Sequence, residues 1–384
     1  RIADEGELTL LKQDVLAELL EEQYQESRPE FLNCVEYFAG GSNDRMLEEY
    51  LSRLYEFSMS YPWPEDWISQ CGEEYKISSV TEMENTTWCR FLVSYIRTMT
   101  EECKRDMEEA ANICLRPDGP YMYSELLEKE NEMLGSLLNA ESLSDFSVWF
   151  ETISFGRLPS KKDDTVAPLL RERVQHIRNN IKKRLEDIRN TYFALSPQQA
   201  VERMQKASMA VSELLSLVLS YKTRLDERKR RDNIIDFHDM EHFALHILLE
   251  RRPDGEILPS PAAQEYRQHF KEILIDEYQD SNLVQELILK SISGEEEDKH
   301  NRFMVGDVKQ SIYRFRLARP ELFMEKYECY STEDGPCQRV DLHRNFRSRH
   351  QVLDSVNAVF SQIMGNELGG VEYDEEAALY PGAE

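Results

Sequence analysis

Apolar residues recur at three- and four-residue steps through most of the first 232 positions, which predicts an all-helical part. Leu8, Leu11, Val15 and Leu19 give a first helix over 4–25. Gly40-Gly41-Ser42-Asn43 breaks the pattern and caps a helix from Asp44 that turns Met46, Leu47, Tyr50, Leu51 and Leu54 inward. Tyr61-Pro62-Trp63-Pro64 forces an extended turn, because the residue ahead of a proline is steered away from helix; Trp67 and Ile68 dock it. Trp88, Phe91, Leu92, Tyr95, Ile96 and Met99 mark a helix over 81–115, stopped by Arg116-Pro117-Asp118-Gly119-Pro120. Shorter helices fit 122–138 and 143–153. Beyond the polar linker 159–166 come two long helices. Leu170, Val174, Ile177, Ile181, Leu185 and Ile188 stripe the first, and Val201, Met204, Ser208, Val211, Leu215, Val218 and Leu225 the second. Ser196-Pro197 separates them, so they form a hairpin with an apolar seam.

At Asn233 the texture changes. Ile234-Ile235-Asp236-Phe237 is short and partly β-branched and leads into a helix with Phe243, Ala244, Ile247 and Leu248. After a polar loop with Pro253, Pro259 and Pro261, three apolar runs read as strands: Ile273-Leu274-Ile275, Phe303-Met304-Val305 and Arg339-Val340-Asp341-Leu342. Helices through Leu283, Leu287 and Ile288, and through Val352, Val356 and Phe360, alternate with them. The first run has no polar alternation, as expected of a strand buried on both faces in a parallel sheet. The predicted fold class is therefore α/β with a large all-α part: a helical subdomain over 1–232, a partial parallel-sheet lobe over 233–366, and an acidic, loop-like tail over 367–384.

Composition adjusts this picture in three places. At 384 residues and 41% apolar, the chain is long enough for two or three domains with real cores. No apolar run approaches membrane-spanning length, so no membrane partner is expected. Without an initiator Met, and opening in mid-pattern at Arg1-Ile2-Ala3, the sequence reads as an excised piece of a longer polypeptide. Seven cysteines, an odd number with no Cys-x-x-Cys pair, argue against a disulfide framework or zinc site and for a reducing, cytoplasmic setting. The net charge of −27 speaks against nucleic acid, but from Pro168 to Arg231 there are 15 Lys/Arg against 7 Asp/Glu, a local balance of +8. Arg173, Lys182, Lys183, Arg184, Arg189, Lys222, Arg228, Lys229, Arg230 and Arg231 fall outside the seam. They form either a solvated charged face or an arm that contacts DNA phosphates.

Candidate chemistry gathers at the strand ends, where open α/β sheets bind ligands. Asp276-Glu277 follows the first strand. In a nucleotide hydrolase one such acid anchors Mg²⁺, usually through water, and the next orients and deprotonates the attacking water. Gly306-Asp307-Val308-Lys309-Gln310 follows the second strand. Gln310 both donates and accepts, which suits sensing a phosphate oxygen together with that water. Tyr313 and Phe315 alternate with Arg314 and Arg316, a pattern suited to stacking and phosphate contact along a single strand. Asn345-Phe346-Arg347-Ser348-Arg349 follows the third strand, and an arginine there can touch a γ-phosphate. Each motif alone also fits an ordinary solvated loop; their order and common placement at strand ends favour one triphosphate pocket.

The segments Asp276-Glu277-Tyr278-Gln279-Asp280, Gly306 to Arg316 and Asn345 to Arg349 resemble motifs II, III and IV of superfamily 1 helicases of the UvrD, Rep, PcrA and RecB group. Ile235 to Ala244, the Leu317-Ala318 that closes the second segment, and the opening Arg1-Ile2-Ala3-Asp4-Glu5 resemble the A-subunit branch of the bacterial AddAB (RexAB) ATP-dependent helicase/nucleases. The resemblance implies that 1–232 is a helical insertion in a RecA-like ATPase lobe, meeting duplex DNA. It implies ATP and Mg²⁺ as cofactors, and as partners single-stranded DNA, a duplex end and the B subunit of a heterodimer. Asp276 would hold Mg²⁺, with Glu277 beside it as general base; Gln310 would couple the γ-phosphate to DNA; Tyr313, Phe315 and Arg316 would lie against the strand. Phe346 would stack on adenine, replacing the usual Tyr of the family, and Arg347 would bind the γ-phosphate. No Gly-x-x-x-x-Gly-Lys-[Ser/Thr] loop is present. That loop, the later motifs and the nuclease would lie outside Arg1–Glu384, so this stretch alone is expected to be inactive. The alternative class is a helicase-derived scaffold without catalysis that binds DNA or a partner.

Overall fold

A computed structural model describes residues 1–40, 43–161, 163–252, 254–295, 299–365 and 371–382 and, of Arg316, the backbone. In chain order the helices are α1 (Glu5–Glu26), α2 (Pro29–Phe38), α3 (Arg45–Ser58), α4 (Pro64–Glu74), α5 (Val80–Glu84), α6 (Thr87–Cys114), α7 (Ser124–Leu137), α8 (Leu143–Thr152), α9 (Pro168–Tyr192), α10 (Pro197–Asp232), α11 (Phe237–Leu248), α12 (Pro261–His269), α13 (Leu283–Ile292), α14 (Pro320–Cys329) and α15 (His350–Ile363). The strands are β1 (Leu249–Arg251), β2 (Ile257–Pro259), β3 (Ile273–Ile275), β4 (Arg302–Met304), β5 (Arg344–Asn345) and β6 (Tyr380–Pro381). Among the described residues no helix is long and apolar enough to cross a membrane.

Local chemistry sets many boundaries. Asp4 caps α1 by accepting from the Glu7 N–H. Thr86 caps α6, which splits the helix expected over 81–115 into α5 and α6. Ser142 with Asp145, Asp236 with Asp239, and Asn282 with Gln285 form reciprocal capping boxes on α8, α11 and α13.

Two compact units divide the chain: Arg1–Ser27 with Asn43–Ile68 and Ser216–Glu384, and Arg28–Ser42 with Ser69–Leu215. They do not follow the expected boundary at 232. The second unit is helical. Ile96, Cys103, Met107 and Ala110 of α6 pack with Leu127 and Leu134 of α7, Phe146 and Phe150 of α8, and Val174, Ile181 and Leu185 of α9. In the first unit, Leu11, Val15 and Leu19 of α1, Leu47, Leu51 and Tyr55 of α3, and Val218, Tyr221 and Leu225 of α10 are buried. Ile2 and Ile235 form a parallel bridge in the same unit, and Asp236 caps α11 directly after it.

The sheet is smaller than the sequence predicted. β3 and β4 pair in parallel, β1 and β2 are antiparallel, and β5 pairs in parallel with β6. Arg339–Leu342 is not a strand, and Val340 and Leu342 are 71% and 86% exposed. Nor is β3 buried on both faces: Leu274 is 74% exposed and its β4 neighbour Phe303 58%. The described residues cover one side of the pair only, so an all-apolar run meant for two covers has one. Part of the acidic tail folds back: β6 closes against β5, Tyr373 is buried, and its hydroxyl donates to Asn357 Oδ1 at 2.7 Å.

Candidate functional site

The ends of β3 and β4 lie side by side, because Val305 N donates to Ile275 O at 2.8 Å and Tyr278 N to Val305 O at 2.9 Å. This turns the chain sharply after Asp276. Glu277 takes up a left-handed backbone with φ 51°, a conformation that costs a non-glycine residue about 1–2 kcal/mol. Asp276 is exposed, and its Oδ1 accepts from the Glu277 N–H at 3.0 Å.

A hydrogen-bonded path then runs from one strand end to the other. Gln279, fully buried, donates from Nε2 to Glu277 Oε2 at 2.6 Å. Its Oε1 accepts from the Asp307 N–H at 3.0 Å. Asp307 Oδ2 accepts from Gln310 Nε2 at 3.0 Å, and Asp307 Oδ1 pairs with Lys309 Nζ at 3.1 Å. Gly306 allows the close approach: a Cβ there would lie 2.6 Å from Gln279 Oε1 and 2.9 Å from the Phe323 ring. The neighbouring Tyr278 is buried and donates to Glu286 Oε2 at 2.6 Å. Glu286 and Glu295 both bind Arg302, whose side chain is 1% exposed. Burial, with Glu277 nearby, raises Asp280 above the ordinary carboxylate range.

Asp276, Glu277 and Gln310 are thus connected by hydrogen bonds through Gln279 and Asp307. Gln279 and Asp307, which join them, were not singled out; the only sign in the sequence is a short amide two places after Glu277 and an acid after Gly306. Asn345-Phe346-Arg347 stands apart. Asn345 Oδ1 accepts from the N–H groups of Arg347 and Ser348 at 2.9 and 2.8 Å, and the Phe346 ring lies against Gly382, 2.6 Å from where a Cβ would be. Among the described residues no hydrogen bond or ion pair joins Arg347 to the Glu277–Gln310 path. The expectation that all three segments end strands of one sheet is corrected, since β5 pairs with β6. Tyr313 and Phe315 lie 5.9 Å apart, Phe315 is 75% exposed, and Arg314 pairs with Glu321. The Arg316 side chain lies outside the described residues.

Among the described residues no group of three or more His, Cys, Asp or Glu side chains is arranged to hold a metal ion. A single exposed carboxylate at a strand end does suit a Mg²⁺ that keeps several waters and takes phosphate oxygens as further ligands. Asp276 meets that description.

The basic stretch is less available than its composition implied. Lys229 is the clearest correction: it is 3% exposed, with Nζ 2.6 Å from Asp239 Oδ1 and 3.2 Å from Asp236 Oδ2, so it is an interior ion-pair partner and not a DNA contact. Arg228 pairs with Glu18 and Asp232, Lys222 with Glu65 and Asp226, Arg173 with Glu109, and Arg184 with Glu102. Lys182 and Lys183 are exposed on α9, with Lys182 Nζ 5.7 Å from the Phe155 ring centroid.

Three proteins named as the A subunit of an ATP-dependent helicase/nuclease are similar to the chain. Those of Lachnoclostridium phytofermentans, Bacillus licheniformis and Clostridium beijerinckii are 44%, 41% and 38% identical over the whole chain. The chain spans 28–31% of their length. The family model of the UvrD/REP helicase N-terminal domain matches residues 65–331, which include Asp276, Glu277, Gln279, Asp307 and Gln310. With most of its length matched and its two motif-bearing strand ends joined, the chain belongs to the UvrD/REP helicase N-terminal domain family.

Proposed function

We propose that the chain is part of the motor component of an ATP-dependent DNA helicase/nuclease that processes double-strand breaks for recombinational repair. ATP hydrolysis would be coupled to movement along single-stranded DNA. The observation that carries this reading is the path Glu277–Gln279–Asp307–Gln310, whose links are 2.6, 3.0 and 3.0 Å long. It links a candidate general base to a candidate phosphate sensor through the buried Gln279 amide, an arrangement suited to hydrolysis gated by a second ligand.

In this reading Asp276 holds Mg²⁺, which when bound neutralises charge on the phosphates. Glu277 accepts the proton of the attacking water, and the Gln279 amide fixes the direction of its carboxylate. Gln310 responds to the γ-phosphate and passes the change along 311–316. There Tyr313 and Phe315 offer ring faces to unstacked bases and Arg316 a phosphate contact. Phe346 stacks on the adenine and Arg347 reaches the γ-phosphate. Lys182, Lys183 and Arg228 supply further phosphate contacts. The relatives' name marks one component of a multi-part enzyme, which supports a B subunit as partner, and the cytoplasm as the setting fits a motor on DNA.

Glu277→Gln in the full-length protein tests the reading: ATP turnover is lost while DNA binding stays. The isolated chain is expected neither to hydrolyse ATP well nor to unwind DNA. DNA-stimulated turnover by this chain alone would overturn that expectation. One observation favours the second reading, a scaffold without catalysis: Arg347 stands outside the hydrogen-bonded path. Unchanged turnover in Glu277→Gln would support it.

A further inference from the structure

Tyr61 lies where several segments of the first unit meet. Its hydroxyl oxygen accepts from Arg319 Nη2 at 2.6 Å, and the same guanidinium lies 5.2 Å from its ring centroid. Its carbonyl oxygen faces His242 Nε2 at 3.1 Å, and the other ring nitrogen of His242 faces His238 O at 2.8 Å. The ring stacks on Trp67 at 5.1 Å and 20°. Arg319 is held from the opposite side. Its N–H donates to Ser281 O at 2.8 Å, directly after the turn that carries Asp276 to Asp280. It also precedes α14 and follows the 307–316 segment, with buried Ala318 between. Helix α11, which carries His242, is tied to the same turn: Glu241 accepts from Gln285 Nε2 at 2.7 Å and from Asn282 Nδ2 at 3.4 Å.

These contacts close a ring, Ser281 to Arg319 to Tyr61 to His242 and back through Glu241 to Asn282 and Gln285. We propose that Tyr61 is a positioning residue that joins the 307–319 segment to α11 and the turn after α3, so that a displacement at Gln310 is delivered to α3 and α11. The proposal rests on the motor reading above. A guanidinium that both stacks on a ring and donates to its hydroxyl at a half-buried place has few alternative geometries, which suits a link that must transmit movement. Arg319 is the charged half of the link and Tyr61 the half that reaches α11.

The test uses the full-length protein in its complete assembly and compares Tyr61→Phe, Tyr61→Ala and Arg319→Lys with the wild type. Base pairs unwound per ATP hydrolysed, KM for ATP and melting temperature are measured. Tyr61→Phe removes one hydrogen bond and keeps the ring, so it is expected to leave KM unchanged and to lower the melting temperature by only a few degrees. Base pairs unwound per ATP should fall about three- to ten-fold. Arg319→Lys should give a smaller fall and Tyr61→Ala a larger one. An unchanged ratio in all three, or a ratio that falls only as far as the melting temperature does, overturns the proposal. Glu277→Gln serves as the companion arm. If it turns over ATP like the wild type, the motor reading fails and takes this proposal with it. If it is dead while the Tyr61 variants couple normally, only this proposal fails.

Discussion

Replacing Lys229 by Ala would separate an interior ion pair from a phosphate contact. In the structure the ammonium bridges Asp236 and Asp239, which are 4% and 8% exposed and belong to the reciprocal cap of α11. The cap bonds survive the substitution, because Asp239 N donates to Asp236 Oδ1 and Asp236 N to Asp239 Oδ2. What is lost is the positive charge, leaving two buried carboxylates a cap apart. Removing one partner of a buried pair costs about 3–5 kcal/mol. For a unit of about 200 residues that lowers the melting temperature by roughly 6–20 °C. The pH dependence supplies an internal check. Burial alone would raise Asp236, but the Lys229 charge and the Asp239 N–H outweigh it, so its pKa lies below the ordinary 3.8. A carboxylate depressed in the folded state stabilises above its unfolded pKa, and that contribution is lost as pH falls through the folded value. Without Lys229 the same carboxylate is raised and takes up a proton before the wild type does. The gap between variant and wild type is therefore widest near neutral pH and narrows towards about pH 4. Melting curves from pH 4 to 8, with DNA affinity at several salt concentrations, decide the matter. A melting temperature within about 2 °C of wild type, together with a salt slope lower by about one, would refute the burial of this side chain.

Gly306→Ala places a methyl where Gln279 Oε1 and the Phe323 ring now sit and is expected to cost about 1–3 kcal/mol, read by chemical denaturation. Arg302→Ala strands Glu286 and Glu295 and is expected to cost about 3–5 kcal/mol. Arg302→Lys should recover little, because an ammonium cannot make both forked contacts; thermal melts of the pair of variants check this. Burial pushes the Cys34 thiol up to about 12 and the Cys103 and Cys114 thiols to about 11, so iodoacetamide at pH 8 should label exposed Cys329 well before these three. Equal labelling rates in the native protein would count against their burial.

The helices were legible because each carries its stripe within itself. Val174, Ile181, Leu185 and Ile188 needed only counting along α9, and all are buried. Caps at Asp4 and Asp236 follow from local rules as well. The sheet was harder to read, because a strand depends on neighbours distant in sequence. Val340 and Leu342 have the right residue types but no strand beside them among the described residues, so the run forms no strand and stays exposed. Lys229 was misread for a related reason. On a helical wheel it falls outside the seam, and only the return of the chain through Asp236 and Asp239 encloses it. The β1–β2 hairpin was missed in a stretch that three prolines made look like plain loop. At the candidate site the acids at the strand ends could be found from type and position. The bond from Gln279 to Asp307 could not, since it joins residues 28 apart.

The left-handed turn at Glu277 sets the backbone cost of one residue against the buried bond its carboxylate accepts. Glycine would relieve the backbone there at the expense of about 0.5–1 kcal/mol in unfolded-chain freedom, against the 1–2 kcal/mol that the turn now withholds. Glu277→Gly also strips the buried Gln279 Nε2 of its acceptor, a loss of about 1–3 kcal/mol that cancels the relief, so the protein should end no sturdier than before while losing the carboxylate. At this position a laboratory selection for heat tolerance would find no free gain in giving up the acid, because the strained turn and the buried bond stand or fall together.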